Sequence, residues 1–176
     1  MAARILKTAC AIGLLAMAMS SSLTAAAERP QDAALAHSIE DALVAHPVAG
    51  SHEITVDVYD GIVQLSGFVA SEDVRESAVK AAKDVDGVAQ VRDNLKIRPD
   101  NVSAEQTQRD ADITKEVRKA LVTNPATKAH EINVATADSV VQLSGFVDSA
   151  DIRATAAQIA GAVHGVRRVQ NELEMK

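Results

Sequence analysis

Apolar positions in this chain follow two spacings that alternate, and the alternation itself occurs twice. Leu35, Ile39, Ala42 and Leu43 stand at i, i+4, i+7 and i+8, one stripe of a helix that Pro47 prevents from continuing. Ile54, Val56 and Val58 then alternate with Thr55, Asp57 and Tyr59, the period of a half-buried strand. Asp60 and Gly61 supply a tight hairpin turn. In the next predicted strand, Val63, Leu65, Gly67 and Val69 take one face and Ile62, Gln64, Ser66 and Phe68 the other. Ser71 is placed to cap a second helix with the stripe Val74, Ala78, Ala81, Ala82 and Val85, closed by Gly87. A last strand follows with Val91, Leu95 and Ile97 inward.

The same order returns 78 residues later without an insertion. Val-Gln-Leu-Ser-Gly-Phe-Val at 63–69 recurs letter for letter at 141–147, and His52, Glu53 and Ile54 recur as His130, Glu131 and Ile132. Ile113, Val117, Ala120 and Leu121 with Pro125 repeat the first helix; Ser149, Ile152, Ala156, Ile159, Val163 and Gly165 repeat the second. The fold class is therefore α+β, two tandem αββαβ modules at 30–98 and 110–176 joined by a polar linker at 99–109. Each module is expected to be a three-stranded sheet with both helices on one face and the other face open. Gly67 and Gly145 are expected to admit a helix closely or to permit a bulge. Ser139 stands where the first copy has Gly61, which predicts a different or longer turn in the second copy.

Asp60, Gly61 and the strand closing on Gly67, the Ala/Val-rich helix ending at Gly87 and Val88, and the run from Val91 to Leu95 resemble the BON domain. Two such domains resemble osmotically inducible periplasmic proteins of the OsmY-like kind. The resemblance implies structural roles for Gly61, Gly67, Gly87, Gly145 and Gly165. It also implies association with phospholipid membrane surfaces, osmotic-stress induction, or as an alternative a chaperone role toward unfolded exported or outer-membrane proteins.

The amino terminus agrees with an exported protein. A basic start with Arg4 and Lys7, an apolar stretch over 8–19 and a small-residue end read as a signal peptide at 1–27, with Ala25 and Ala27 preceding the cleavage point before Glu28. The location expected is the periplasm. Cys10, the only cysteine, falls inside this segment, so the mature chain would hold no disulfide. Cleavage would take the formal charge from −6 to −8 by removing Arg4 and Lys7. An acidic chain without a Lys/Arg block makes nucleic acid a poor partner.

Candidate chemistry is sparse. His52 with Glu53, and His130 with Glu131, place imidazole beside carboxylate, but zinc needs three or four converging ligands and no second His follows one helical turn later. His37, His46 and His164 are single. Ser66 lacks the preceding glycine of a nucleophile elbow. No catalytic residue, metal site or cofactor is expected, and a potassium cage is not expected either, since no cluster of carboxylates or carbonyl-presenting turns appears. Asn101 and Ser103 match a glycosylation sequon in the linker. Phe68 and Phe146, the only phenylalanines, point away from the helices and are the candidate contacts for a lipid, a glycan or the other module.

Overall fold

The computed structural model describes residues 30–45, 53–98, 102–127 and 132–176. The expectations for residues 1–27, with Ala25 and Ala27, and for Glu28, His46, Pro47, His52, Asn101, His130 and Glu131 lie outside the described residues. In the first module α1 (Pro30–Ala45) is followed by β1 (Ile54–Tyr59), β2 (Ile62–Val69), α2 (Glu72–Lys83) and β3 (Gln90–Ile97). β1 and β2 form an antiparallel hairpin, and α2 carries the chain across so that β3 joins β2 in parallel, giving the order β1-β2-β3.

The second module runs α3 (Ala104–Thr123), β4 (Asn133–Ala137), β5 (Val140–Ser144), β6 (Phe146–Val147), α4 (Ala150–Gly161), β7 (Arg168–Asn171) and β8 (Glu174–Met175). β4, β5 and β7 repeat the first sheet, and β6 pairs with β8 beyond the break at Gly145. The architecture is the expected α+β pair of αββαβ modules.

Each module has its own core on the helix side of its sheet. Ile39, Leu43, Val63, Leu65, Val69, Ala78, Ala81, Ala82 and Leu95 close the first. Val117, Leu121, Val141, Leu143, Ala156, Ala160 and Leu173 belong to the second. α1 lies on β1 and α2 on β3, with α3 on β4 and α4 on β7. Alanine at three buried positions of α2 lets that helix sit close to the sheet. Ser71 caps it by accepting the Val74 N–H at 3.4 Å, and Ser149 does the same for Ile152 at 3.3 Å. Ile97, expected inward, is instead 48% exposed, because it ends an edge strand.

Both hairpins use the same two-residue turn, correcting the expectation of a different one in the second copy. Tyr59 pairs with Ile62 and Ala137 with Val140. Asp60 and Gly61 have φ of 52° and 75°, Asp138 and Ser139 of 48° and 60°. Left-handed backbone at a serine costs on the order of 1 kcal/mol. The first helix offsets this with a carboxylate: Asp110 accepts the Asp138 and Ser139 N–H groups at 2.8 and 2.9 Å. Asp32 accepts those of Asp60 and Gly61 at 3.0 and 3.3 Å. Gln106 adds hydrogen bonds to Asp110 and to the Ser139 hydroxyl.

That clasp also explains where α3 begins. Ser103 caps the helix by accepting the Gln106 N–H at 3.2 Å, so 104–109, read from sequence as linker, already form its first turns. The helix must be under way for Gln106 and Asp110 to reach the hairpin from one face.

Gly67 and Gly145 both hold φ of +118°. Of the two expectations for Gly67, close approach of a helix is not what the structure shows: the neighbour is the chain entering the adjacent strand, and a Cβ there would run into the Glu53 carbonyl oxygen. Gly67→Ala combines that collision with a disfavoured φ and is expected to cost about 3 kcal/mol or more. A urea-denaturation midpoint within error of the wild type would show that the strand can relax around a side chain.

Candidate functional site

The sheet faces turned away from the helices are not open. They meet each other, so the molecule is layered helix, sheet, sheet, helix, and the residues at the meeting face are polar. Gln64 and Gln142 are fully buried and Ser66 and Ser144 nearly so. The contacts are reciprocal under the repeat. Gln142 Oε1 accepts the Gly67 N–H at 2.9 Å and its Nε2 donates to the Asn94 carbonyl at 2.5 Å. Gln64 Oε1 accepts the Gly145 N–H at 2.8 Å and its Nε2 donates to the Glu172 carbonyl at 2.6 Å. The Ser66 hydroxyl donates to that of Ser144 at 2.7 Å. Each glutamine thus satisfies one backbone donor and one acceptor of the opposite module, which is what allows a buried polar face without a desolvation penalty.

The seam is not symmetric at its margins. Asp57 accepts from Asn133 Nδ2 at 2.6 Å and from the Ser144 hydroxyl at 3.5 Å. The position of Asp57 in the second copy is Ala135. Burial pushes the Asp57 carboxyl up to about 6, while the hydrogen bonds from Asn133 and Ser144 pull the other way. The Tyr59 ring lies 5.5 Å from that of Phe146, with Lys176 Nζ 6.0 Å from its centroid. Arg92 pairs with Glu174 at 3.7 Å and Lys96 with Glu172 at 3.4 Å.

Phe68 and Phe146 are each only 7% exposed. Of the three contacts expected for them, the other module is the one the structure shows: the face they share with the glutamines is covered by it, and neither ring is a free surface contact. The large apolar side chains that are exposed among the described residues are Val44, Ile97, Val122 and Met175. They form two pairs related by the repeat, Val44 with Val122 near the ends of α1 and α3, and Ile97 with Met175 at the ends of the last strands. Each strand-end residue is followed by a cation, Arg98 and Lys176.

A groove of about 600 Å³ beside α3 places Ile113, Ala120 and Val163 among Arg109, Lys119 and His164. Asp112 and Glu116 share its lip. His37 lies 3.2 Å from Glu40 on an exposed helix face, and Glu53 pairs with Arg98 at 2.6 Å. Among the described residues no three His, Cys, Asp or Glu side chains gather in a way that would hold a metal ion.

The family model described as "BON domain" matches the chain twice, over residues 31–99 and 109–176. The chain belongs to the BON-domain family. It is 37% identical over 159 residues to "Osmotically-inducible protein Y" of Escherichia coli (strain K12), spanning 90% of this chain and 79% of that one. "Outer membrane lipoprotein DolP" of Haemophilus influenzae is 33% identical over 111 residues, 63% of this chain and 56% of the relative. "21 kDa hemolysin" of Actinobacillus pleuropneumoniae is 31% identical over 116 residues, 66% and 59%. Of those last two relatives the chain thus spans less than two thirds. A solved CdsD, a structural protein of the type III secretion system of Chlamydia trachomatis, superposes with a TM-score of 0.35 at 14% identity, covering 81% of this chain and 92% of that one.

Within these BON modules the roles of Asp32, Asp57 and Asp110 escaped sequence reasoning. Asp32 and Asp110 had a usable sign, since an aspartate stands 78 residues from another, three positions before the apolar stripe of each first helix begins at Leu35 and Ile113. Asp57 had none, because its significance arises only where the two modules meet.

Two outcomes follow for the seam. Gln142→Leu leaves the Gly67 N–H and the Asn94 carbonyl buried without partners and is expected to cost roughly 2–4 kcal/mol. Calorimetric unfolding within 0.5 kcal/mol of wild type, a bound of about the size of ordinary surface substitutions, would contradict this. For Asp57 burial raises the folded-state pKa from the ordinary carboxylate value of 3.8 to about 6. The folded chain therefore holds the proton more tightly, and this contribution to stability is present below about pH 4 and lost as pH rises to about 6. Asp57→Asn keeps an acceptor for Asn133 and should remove that part of the pH dependence. An unfolding free energy whose pH profile between 4 and 6 is unchanged by the substitution would show that Asp57 titrates normally.

Proposed function

We propose that this is a non-enzymatic envelope protein of the periplasm, active in osmotic stress, whose BON modules bind phospholipid membrane surfaces through their exposed ends. The observation that carries the reading is the recurrence of Val44 and Ile97 as Val122 and Met175: the same two positions in each module leave an apolar side chain in water. An exposed valine alone is unremarkable. Two positions exposed in both copies form an apolar tip beside an ion pair, Arg98 with Glu53 in one module and Lys176 with Asp148 in the other, an apolar point with a charged rim suited to the boundary between acyl chains and headgroups.

Partition of such side chains contributes roughly 1–2 kcal/mol each. A tip therefore gives weak, reversible association, with no transmembrane span involved. No helix among the described residues is long and apolar enough to cross a membrane. The names of two relatives, one osmotically inducible and one an outer membrane lipoprotein, support the same setting. The buried seam supports a non-catalytic role, since Gln64, Ser66, Gln142 and Ser144 are engaged in holding the modules together.

Flotation tests the reading. The protein should rise with liposomes of equimolar phosphatidylethanolamine and phosphatidylglycerol, and the variant carrying Val44→Ser, Ile97→Ser, Val122→Ser and Met175→Ser should stay at the bottom. Equal flotation of the variant would contradict the role of the tips. Failure of the wild type to float, together with suppression of aggregation of an unfolded outer-membrane protein, would favour a chaperone.

A further inference from the structure

The seam fixes how the two apolar tips are disposed. Gln64, early in β2, meets Gly145, late in the equivalent strand, and Gln142 meets Gly67 in the same inverted sense. Tyr59, at the turn end of the first module, meets Phe146 and Lys176 at the far end of the second. Arg92 near the start of β3 pairs with Glu174 in β8, and Asp57 of β1 with Asn133 of β4. The two sheets therefore pack with β1 over β4, β3 over the β7–β8 run, and the strands antiparallel.

In each module the apolar tip lies at the carboxyl end of the central strand. Val69 pairs with Ile97, and Val147 with Met175. Asp32 and Asp110 bind the first helices to the hairpin turns by their amino ends, which sends Val44 and Val122 to the opposite end of each module. Antiparallel packing then puts Val44 and Ile97 at one end of the molecule and Val122 and Met175 at the other. An eight-residue strand spans roughly 26 Å, so the tips are separated by about the length of the sandwich.

We infer, on the basis of the membrane reading above, that the chain is bivalent, with each end engaging a separate phospholipid surface so that one molecule bridges two bilayers. Tips at the two ends of the sandwich, about a strand length apart, are placed so that each can meet a surface of its own, whereas tips at one end would only add avidity on a single membrane. A folded protein is the poorer occupant. At each end the side chains stand on different edges of the sheet, one on the helix over β1 or β4 and one on β3 or β8. That spacing does not form the contiguous patch of about 800 Å² that a stable protein interface presents. Isolated apolar side chains beside Arg98 and Lys176 need no shape match to enter a lipid interface.

Light scattering and flotation on the same vesicles test this. With unilamellar vesicles of equimolar phosphatidylethanolamine and phosphatidylglycerol, the full chain should both float and raise the mean particle size several-fold. Val44→Ser with Ile97→Ser, and separately Val122→Ser with Met175→Ser, remove one tip each at exposed positions, and an unchanged circular dichroism spectrum and unfolding midpoint check that the fold is kept. Each double variant should still float yet leave the particle size unchanged. Flotation of the wild type without clustering would overturn bivalency while leaving membrane binding intact, as would clustering by either one-tip variant. Absence of flotation by the wild type would overturn both.

Discussion

The structure depends on an exchange of hydrogen bonds between two glutamines and two glycines. A sheet of three strands with helices on one face leaves a second face that must be solvated or covered. Here it is covered by its own repeat. Because a glycine at φ +118° breaks the regular strand in each copy, its N–H becomes available to the opposite module, and a glutamine three residues earlier in the other copy takes it. The same glutamine returns a donor to a carbonyl near the end of the partner sheet. A polar face thereby becomes an interior, and two modules of marginal size become one body.

From that constraint the remaining geometry follows. The inverted crossing of the strands places Asp57 against Asn133, where removal from water makes the carboxylate costly, and it buries both phenylalanines. It also directs like ends of the two modules apart. What would be a single weakly apolar tip in one module becomes a pair of tips facing opposite directions.

The modules themselves were legible in the sequence, because helix stripes and strand alternation are local and the 78-residue repeat confirms each element against its copy. Leu35 to Leu43, the Val63 and Leu65 alternation and the alanine stripe of α2 are instances where pattern and burial agree. The candidate site was less legible. Gln64 and Ser66 read as solvated because alternation says which residues share a face and not what lies opposite. The turn at Ser139 looked anomalous because the compensating carboxylate comes from Asp110, 29 residues away. Ile97 looked inward because alternation carries no information about where a helix stops covering an edge strand.

Amide hydrogen exchange at Gly67 and Gly145 in the intact chain bears most directly on the seam. Both amides should be protected as strongly as those of the buried strand residues Val63 and Val141, and should lose protection together when either glutamine is replaced. Exchange of these two glycines near the rate of an unstructured peptide, with the strand cores still protected, would mean that the modules fold separately and that the face between them is open to water.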